Sequence, residues 1–280
     1  MNLNNLQTRT ATGAAFAIAI IACIFISRTA FAWIMLAASL VALSEYLSLR
    51  GIKLRTTFGY LALIMGAFSY LAVALIALLP NPSVGLQLGA LTIFIPILLV
   101  AALYSKHDNP METIGITIVG VFYIPIPLAL LNLLNDPIFM EVRQPKYMVL
   151  GFFLLVWAND TFAYLTGVTL GKHPLFKRIS PKKTWEGSLG GAILTIAFSY
   201  LIFKYLGTIS LIDWMIVATL IIIFGTFGDL SESMIKRLAQ VKDSGNILPG
   251  HGGMLDRFDA VLFAAPMVFL YLLIAHTFFS

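Results

Sequence analysis

Apolar runs of about 20 residues recur along the whole chain, and this repetition restricts the fold more than any other feature. A helix needs about 20 apolar residues to cross a hydrocarbon layer of roughly 30 Å. A backbone inside lipid must satisfy its own polar groups, which leaves helices or a closed barrel. Barrel strands alternate apolar and polar residues, and these runs do not. The sequence therefore predicts an all-α, polytopic helical membrane protein.

Nine membrane spans are expected from the positions of these runs. Their approximate ranges are 11–27, 29–49, 58–79, 84–104, 112–134, 147–170, 187–206, 211–230 and 258–279. Only Ser27, Arg28 and Thr29 separate the first two, so a tight hairpin is expected there. Pro125 and Pro127 fall inside the fifth span and are expected to kink or break it.

The distribution of lysine and arginine predicts the orientation. Nine spans place the N-terminus on the same side as loops 50–57, 105–111, 171–186 and 231–257. That side carries 14 of the lysines and arginines, and the other side carries 4. Because cytoplasmic loops are enriched in these residues, we expect the N-terminus and both richest polar loops to face the cytoplasm. The predicted location is the cytoplasmic (inner) membrane, with multiple passes.

The segment 233–259 is the most polar part of a chain that is 59% hydrophobic and 11% charged. Charge held beside a membrane is costly unless it has a function. Carboxylates at two predicted helix ends form the first candidate site, namely Asp229, Asp256 and Asp259. They could converge on one divalent cation, since Mg²⁺ prefers oxygen ligands and is commonly held by carboxylates together with substrate phosphates. Helix capping by Asp256 and Asp259 is the alternative.

Basic residues and glycines surround these acids and suggest phosphate chemistry. The basic side chains are Lys236, Arg237, Lys242, His251 and Arg257. The glycines at 250, 252 and 253 allow close backbone approach, so backbone amides there could cradle a phosphate. A plain juxtamembrane basic loop would bind anionic lipid without needing glycines. If the preceding helix continues beyond Asp229, then Glu232, Ser233 and Lys236 share its face.

A second polar loop, 171–186, carries five lysines and arginines with Trp185 and Glu186. Lys182 and Lys183 could contact phosphates, and Trp185 could stack on a base or lie at the lipid interface. The alternative is an ordinary cytoplasmic loop rich in positive charge. Nothing in either loop indicates nucleic-acid binding.

Polar residues also lie within the predicted spans. Asn159 and Asp160 in the sixth span could line a polar cavity beneath the cytoplasmic loops or make a structural contact between helices. Gly167 and Gly171 have the small-residue spacing of closely packed helices. Glu45 lies about one turn from the cytoplasmic end of the second span and could either share the cavity or reach the interface.

The whole pattern of 27 residues from Ser233 to Asp259 resembles the signature of the phosphatidate cytidylyltransferase family. Its elements are Ser233, Ile235, Lys236, Arg237, Lys242, Asp243, Gly245, Leu248, Pro249, His251, Gly252, Gly253, Met254, Asp256, Arg257, Phe258 and Asp259. The segment 180–187 and the helix with Asn159 and Asp160 also resemble that family. Residues 141–280 would then be the catalytic membrane region, and residues 1–140 are spans of unclear role.

The resemblance implies that CTP and phosphatidic acid give CDP-diacylglycerol and pyrophosphate, with Mg²⁺, in a bilayer and in a homodimer. A second cation stays open. It assigns Asp229, Asp256 and Asp259 both to the metal and to catalysis. It assigns Lys236 and His251 to catalysis and Lys182, Lys183, Ser233, Arg237, Lys242, Arg257, Asn159 and Asp160 to substrate binding. Three alternatives compete: another CTP-dependent enzyme such as a polyprenol kinase, an ion-coupled transporter using Asp160, and a lipid-binding scaffold.

Overall fold

The computed structural model describes residues 3–79, 83–105, 109–136, 144–247 and 252–279. The chain divides into two compact units. The first comprises Met1–Leu133 and Val241–Arg257, and the second comprises Leu134–Gln240 and Phe258–Ser280. Most of the polar segment 233–259 thus belongs to the N-terminal unit. The expected division of roles at residue 140 stays a prediction.

The first unit is helical. Its helices are α1 (Leu3–Ile26), α2 (Arg28–Leu49), α3 (Thr57–Leu78), α4 (Val84–Thr92), α5 (Phe94–Leu103), α6 (Pro110–Tyr123) and α7 (Pro125–Leu134). The expected tight hairpin joins α1 and α2, and the Ser27 side chain caps α2 by accepting from the amide of Ala30. Arg28 donates from its guanidinium to the carbonyl of Ala77 at 3.2 Å. This helix start is therefore fixed by a cap and by a contact to α3.

A buried network of hydrogen bonds links three helices of the first unit. The Tyr70 hydroxyl donates to the carbonyl oxygen of Ala32 at 2.8 Å and accepts from the Asn132 side-chain amide at 2.9 Å. Tyr70 and Asn132 are buried. A buried hydroxyl without partners would be costly, so these hydrogen bonds specify how α2, α3 and α7 pack.

The second unit contains α8 (Pro145–Leu170), the strands β1 (Pro174–Phe176) and β2 (Ser180–Thr184), α9 (Trp185–Leu206) and α10 (Leu211–Leu238). It also contains most of α11 (Leu255–Phe279). The two strands form a short antiparallel hairpin, with Pro174 opposite Thr184. The polar loop after α8 is thus an ordered hairpin leading directly into α9.

Small residues let α8 and α9 approach closely. Gly187 and Gly191 of α9 lie against Ala163 of α8, where an added Cβ would come within 2.9 Å of Ala163 backbone atoms. Gly167 of α8 faces the same helix, in contact range of Gly187. This close packing matches the role expected for Gly167.

Seven helical stretches within the described residues are long and apolar enough to span a membrane. They are Arg28–Leu49, Thr57–Leu78, Pro110–Leu134, Pro145–Leu170, Trp185–Leu206, Leu211–Leu238 and Leu255–Thr277. The polytopic all-α fold is therefore confirmed. Of the other two predicted spans, 11–27 corresponds to the last part of α1, which ends at Ile26, and 84–104 is divided between α4 and α5. The total of nine spans and the orientation stay predictions.

One predicted break is confirmed, and two predicted boundaries differ from the structure. The fifth predicted span is broken at Ile124, before Pro125, as the proline spacing indicated. The eighth was expected to end at 230, but α10 continues to Leu238. Its last turns are charged, and hydropathy alone therefore ended the helix too early. The ninth begins at Leu255, three residues before the expected start.

Candidate functional site

Three carboxylates of the second unit form the centre of the candidate site. Asp229 and Glu232 lie on α10, and Asp259 lies on α11. One oxygen from each of these side chains lies within 4.8 Å of the others. Glu232 is fully buried, and the two aspartates are partly exposed. We refer to these three residues as the acidic group.

Two glycines on α10 bring the acidic group together. A Cβ at Gly225 would lie 3.4 Å from that of Ala260, and a Cβ at Gly228 would collide with the backbone carbonyl of Asp259. Glycine at these positions lets the backbone of α10 approach the start of α11. Asp229 directly follows Gly228, so the close approach places its carboxylate beside Asp259.

Lysines stand against the acidic group on two sides. Lys183 of β2 forms an ion pair with Asp229. Lys236 Nζ lies 2.5 Å from Glu232 Oε2, one turn further along α10. The Ser233 hydroxyl donates to Asp229 Oδ1 at 3.3 Å. The extension of α10 thus places Asp229, Glu232, Ser233 and Lys236 on one face, as the i, i+3, i+4, i+7 spacing indicated.

The polar pair on α8 belongs to the same region. The charges of Asp229, Asp160 and Lys183 all act on the Asp259 carboxylate. Asp160 is exposed, and Asn159, its neighbour, is 7% exposed. Asp160, the acid noted within the sixth predicted span, is therefore close enough to Asp259 for their charges to interact.

Glu186 organises the hairpin that carries the lysines. Its Oε2 accepts from the backbone amides of Lys172 and His173 at 3.0 and 3.1 Å, and its Oε1 lies 2.5 Å from His173 Nδ1. The Trp185 amide donates to the carbonyl of His173 at 2.9 Å. These bonds close the loop at its base and fix β2.

Strand geometry separates the two lysines of β2. Successive side chains of a strand point to opposite faces. Lys183 is half-buried against Asp229, whereas Lys182 is exposed. Trp185 is 54% exposed and Arg237 is also exposed. Of the two lysines, Lys183 is the one that contacts the acidic group.

The remaining candidate residues belong to the first unit or lie outside the described residues. Asp256 Oδ2 accepts from the Ser244 amide at 2.9 Å, the Ser244 hydroxyl at 2.8 Å and the Gly253 amide at 2.7 Å. Lys242 is exposed and Arg257 is half-buried. His251 lies outside the described residues. The metal role expected of Asp256 stays a prediction.

Amides of the glycine-rich segment were expected to cradle a phosphate, and this stays a prediction. In the described part of the segment, the amides of Gly253, Met254 and Leu255 donate to carboxylates, the first to Asp256 and the other two to Glu45. The glycines at 252 and 253 therefore serve close approach to carboxylate side chains.

The acidic group has the chemistry of a divalent-cation site. Carboxylate oxygens are the ligands preferred by Mg²⁺ and other hard cations. The three carboxylates carry more negative charge than the two nearby lysines can neutralise, and one of the three is fully buried. The sequence predicted Asp229, Asp256 and Asp259 for this role and noted Glu232 only as sharing the helix face of Asp229. Its i+3 spacing from Asp229 was the signal that could have added it.

Comparison with known proteins agrees with this chemistry. The family model described as "Cytidylyltransferase family" matches residues 7–275. The chain belongs to the cytidylyltransferase family. The resemblance read from the segment 233–259 is thus confirmed over nearly the whole chain, including the N-terminal helices, for which the sequence offered no motif.

Three curated relatives are named phosphatidate cytidylyltransferase. One from Staphylococcus haemolyticus is 36% identical over 243 residues, covering 84% of this chain and 86% of the relative. One from Bacillus subtilis is 31% identical over 283 residues, covering 97% and 98%. One from Staphylococcus aureus is 34% identical over 243 residues, covering 84% and 86%. The similarity therefore extends over both units of the cytidylyltransferase fold.

Proposed function

We propose that this membrane protein transfers the cytidylyl group of CTP to phosphatidic acid, giving CDP-diacylglycerol and pyrophosphate for phospholipid biosynthesis. The observation that carries the proposal is the family match over residues 7–275, together with relatives of that name similar over most of the chain. The acidic group could hold a metal ion, and the metal ion and the two lysines would neutralise the phosphate charge of a nucleoside triphosphate.

The proposed reaction is one in-line displacement at phosphorus. A phosphate oxygen of phosphatidic acid attacks the α-phosphorus of CTP, and the bond from that phosphorus to the β-phosphate bridging oxygen breaks. The attacking oxygen is already anionic, so no strong general base is needed. The protein must align the two phosphates and neutralise their charge.

The acidic group would hold Mg²⁺, and Asp256 is a further proposed ligand from the sequence. When bound, the ion would neutralise phosphate charge as it shifts to the leaving group. Lys183, Lys236 and Arg237 would orient phosphates from the second unit. Lys242, Arg257 and His251 are proposed for the same task from the signature. A monovalent or second divalent ion is compatible with this donor set.

A labelling experiment tests the reaction directly. Purified protein is incubated with phosphatidic acid, Mg²⁺ and CTP labelled at either the α- or the γ-phosphorus. We expect only the α-label to enter the lipid, with release of pyrophosphate. A polyprenol kinase would instead transfer the γ-label, and that outcome would contradict the proposal. Asp229→Asn and Asp259→Asn should each abolish α-label transfer while the protein still inserts into membranes.

The site is proposed to face the cytoplasm, on the evidence of 14 lysines and arginines on one side against 4 on the other. Since Cys23 is the single cysteine, a Cys23→Ser background allows labelling from one side. Lys177→Cys on the hairpin should react with an impermeant maleimide only in opened cells. Lys204→Cys, at the other end of α9, should react in intact cells. The reverse pattern would refute the orientation.

A homodimer is proposed from the family resemblance. Light scattering of the solubilised protein, corrected for detergent, measures the mass directly. A monomer of 30.7 kDa at all concentrations tested would contradict the proposal.

A further inference from the structure

A buried glutamate in the N-terminal unit has no role in the reaction proposed above. Glu45 lies one turn before the end of α2 and is 6% exposed. An ionised carboxylate in such a place is costly unless donors surround it. From the sequence alone, Glu45 was expected either to line a cavity or to reach the interface, and neither expectation accounts for its contacts.

Three hydrogen-bond donors converge on Glu45, and all three lie within the family signature, residues 233–259. Its Oε1 accepts from the Met254 amide at 2.9 Å. Its Oε2 accepts from the Leu255 amide at 2.8 Å and from the Ser244 hydroxyl at 3.0 Å. The two amides open α11, where backbone N–H groups lack intrahelical acceptors. The Glu45 side chain is therefore the anion at this helix N-terminus.

Two glycines of the signature lie so close to the Glu45 carboxylate that neither position has room for a side chain. A Cβ at Gly245 would lie 2.5 Å from Glu45 Oε1. A Cβ at Gly253 would overlap both Glu45 Oε2 and the Ser244 hydroxyl. Any larger residue would push the glutamate out of reach of its donors. The glycines thus allow the loop to close on Glu45.

Ser244 connects Glu45 to Asp256. Its hydroxyl lies 3.0 Å from Glu45 Oε2 and 2.8 Å from Asp256 Oδ2. A hydroxyl has one proton, so it can donate fully to only one of these carboxylates at a time. The amides of Met254 and Leu255 hold Glu45, whereas those of Ser244 and Gly253 hold Asp256. The position of Asp256, in the first turn of α11, is therefore coupled to Glu45.

We infer that Glu45 is a positioning residue for the reaction, which holds the signature residues 244–245 and 253–255 against α2 without contacting substrate. This inference rests on the proposed function for its kinetic consequence but not for its structural one. It also gives the N-terminal helices a task beyond spanning, since α2 supplies the anchor for the loop.

The test compares Glu45→Gln and Glu45→Ala in the full-length purified protein. Two readouts are used: kinetics with CTP and phosphatidic acid, and hydrogen exchange of the backbone amides from 243 to 257. We expect faster exchange confined to this segment and a fall in kcat/KM of roughly 10- to 100-fold for alanine, the scale seen when residues supporting a metal site are removed. Glutamine keeps the shape and one acceptor oxygen, so its effects should be smaller.

Glu112→Ala is the matched control, because Glu112 is an exposed carboxylate in the first turn of α6 in the same unit. It should leave both exchange in 243–257 and activity unchanged. If Glu45→Ala does not fold, Gly245→Ala displaces the carboxylate with a smaller change and should give the same local exchange.

Two results would overturn the inference. One is wild-type exchange in 243–257 together with wild-type kcat/KM for both Glu45 variants. The other is exchange that rises evenly over the whole chain, which a purely structural role would produce. If the wild-type protein makes no CDP-lipid, the proposed function fails, but the exchange measurement still decides whether Glu45 anchors the loop.

Discussion

Lys236 Nζ lies 2.5 Å from Glu232 Oε2, one turn away on α10, and the Glu232 side chain is fully buried. A buried carboxylate is tolerated when a cation or a metal compensates it. Asp229 and Asp259 place two further carboxylates within 4.8 Å of it. The ion pair between Lys236 and Glu232 therefore places one of the basic residues expected to bind phosphates next to the acidic group.

Glu232→Gln should weaken activation by Mg²⁺ without removing the shape of the side chain. The amide keeps the volume but loses the charge that a divalent cation requires. We expect the Mg²⁺ concentration for half-maximal activity to rise by roughly tenfold or more, equivalent to about 1.4 kcal/mol. Glu112→Gln, on the exposed start of α6, is the control. An unchanged Mg²⁺ dependence would remove Glu232 from the metal site.

Lys183→Met should reduce activity far more than Lys182→Met. Lys183 pairs with Asp229, and Lys182 is exposed on the other face of the same strand. Methionine keeps much of the apolar stem of lysine, so the comparison isolates the charge. We expect a loss in kcat/KM of at least about tenfold for Lys183→Met, and little change for its neighbour. Equal losses would show that the hairpin contributes general positive charge only.

The sequence predicted the class of fold and most of the spans because apolar length is a direct consequence of membrane thickness. It placed Asp229 and Asp259 together because they lie at the two predicted helix ends that flank the polar segment. It could not predict the anchoring of Ser244 and Met254 by Glu45, since about 200 residues of chain separate them. A single buried carboxylate has no local pattern, and its donors are backbone amides that any sequence provides.

Boundaries were harder to predict where charge and helix coincide. The end of α10 contains Lys236 and Arg237, which favour a helix C-terminus and the membrane surface alike. Hydropathy reports burial in lipid, whereas the helix depends on backbone hydrogen bonds that continue into water. The acidic group lies where these two criteria disagree, since Asp229 precedes the predicted end of the span at residue 230 and Glu232 follows it.

Gly151→Ala should destabilise the second unit. A Cβ at Gly151 of α8 would collide with the indole of Trp214, which is fully buried on α10. Overpacking of this kind costs about 1–3 kcal/mol. Gly115→Ala on α6 is the control, since nothing lies within 4 Å of a Cβ there. Thermal unfolding in detergent should show a lower midpoint for Gly151→Ala only. Equal midpoints would mean that Trp214 moves aside without cost.

Glu186→Ala should loosen the hairpin and thereby reduce the contribution of Lys183. The carboxylate accepts from the amides of Lys172 and His173, and alanine leaves both without that acceptor. We expect faster hydrogen exchange across residues 172–184 and a loss of activity that is not additive with Lys183→Met, because both changes act through the same ion pair.

Asp213→Asn is the control for the hairpin, since Asp213 occupies the first turn of α10 beyond the other end of α9. Its carboxylate accepts from Ser210 and Tyr271, so its loss should leave exchange in 172–184 unchanged. Full additivity of Glu186→Ala with Lys183→Met would contradict the coupling. It would mean that the hairpin keeps its conformation without Glu186 and that Lys183 reaches Asp229 independently of it.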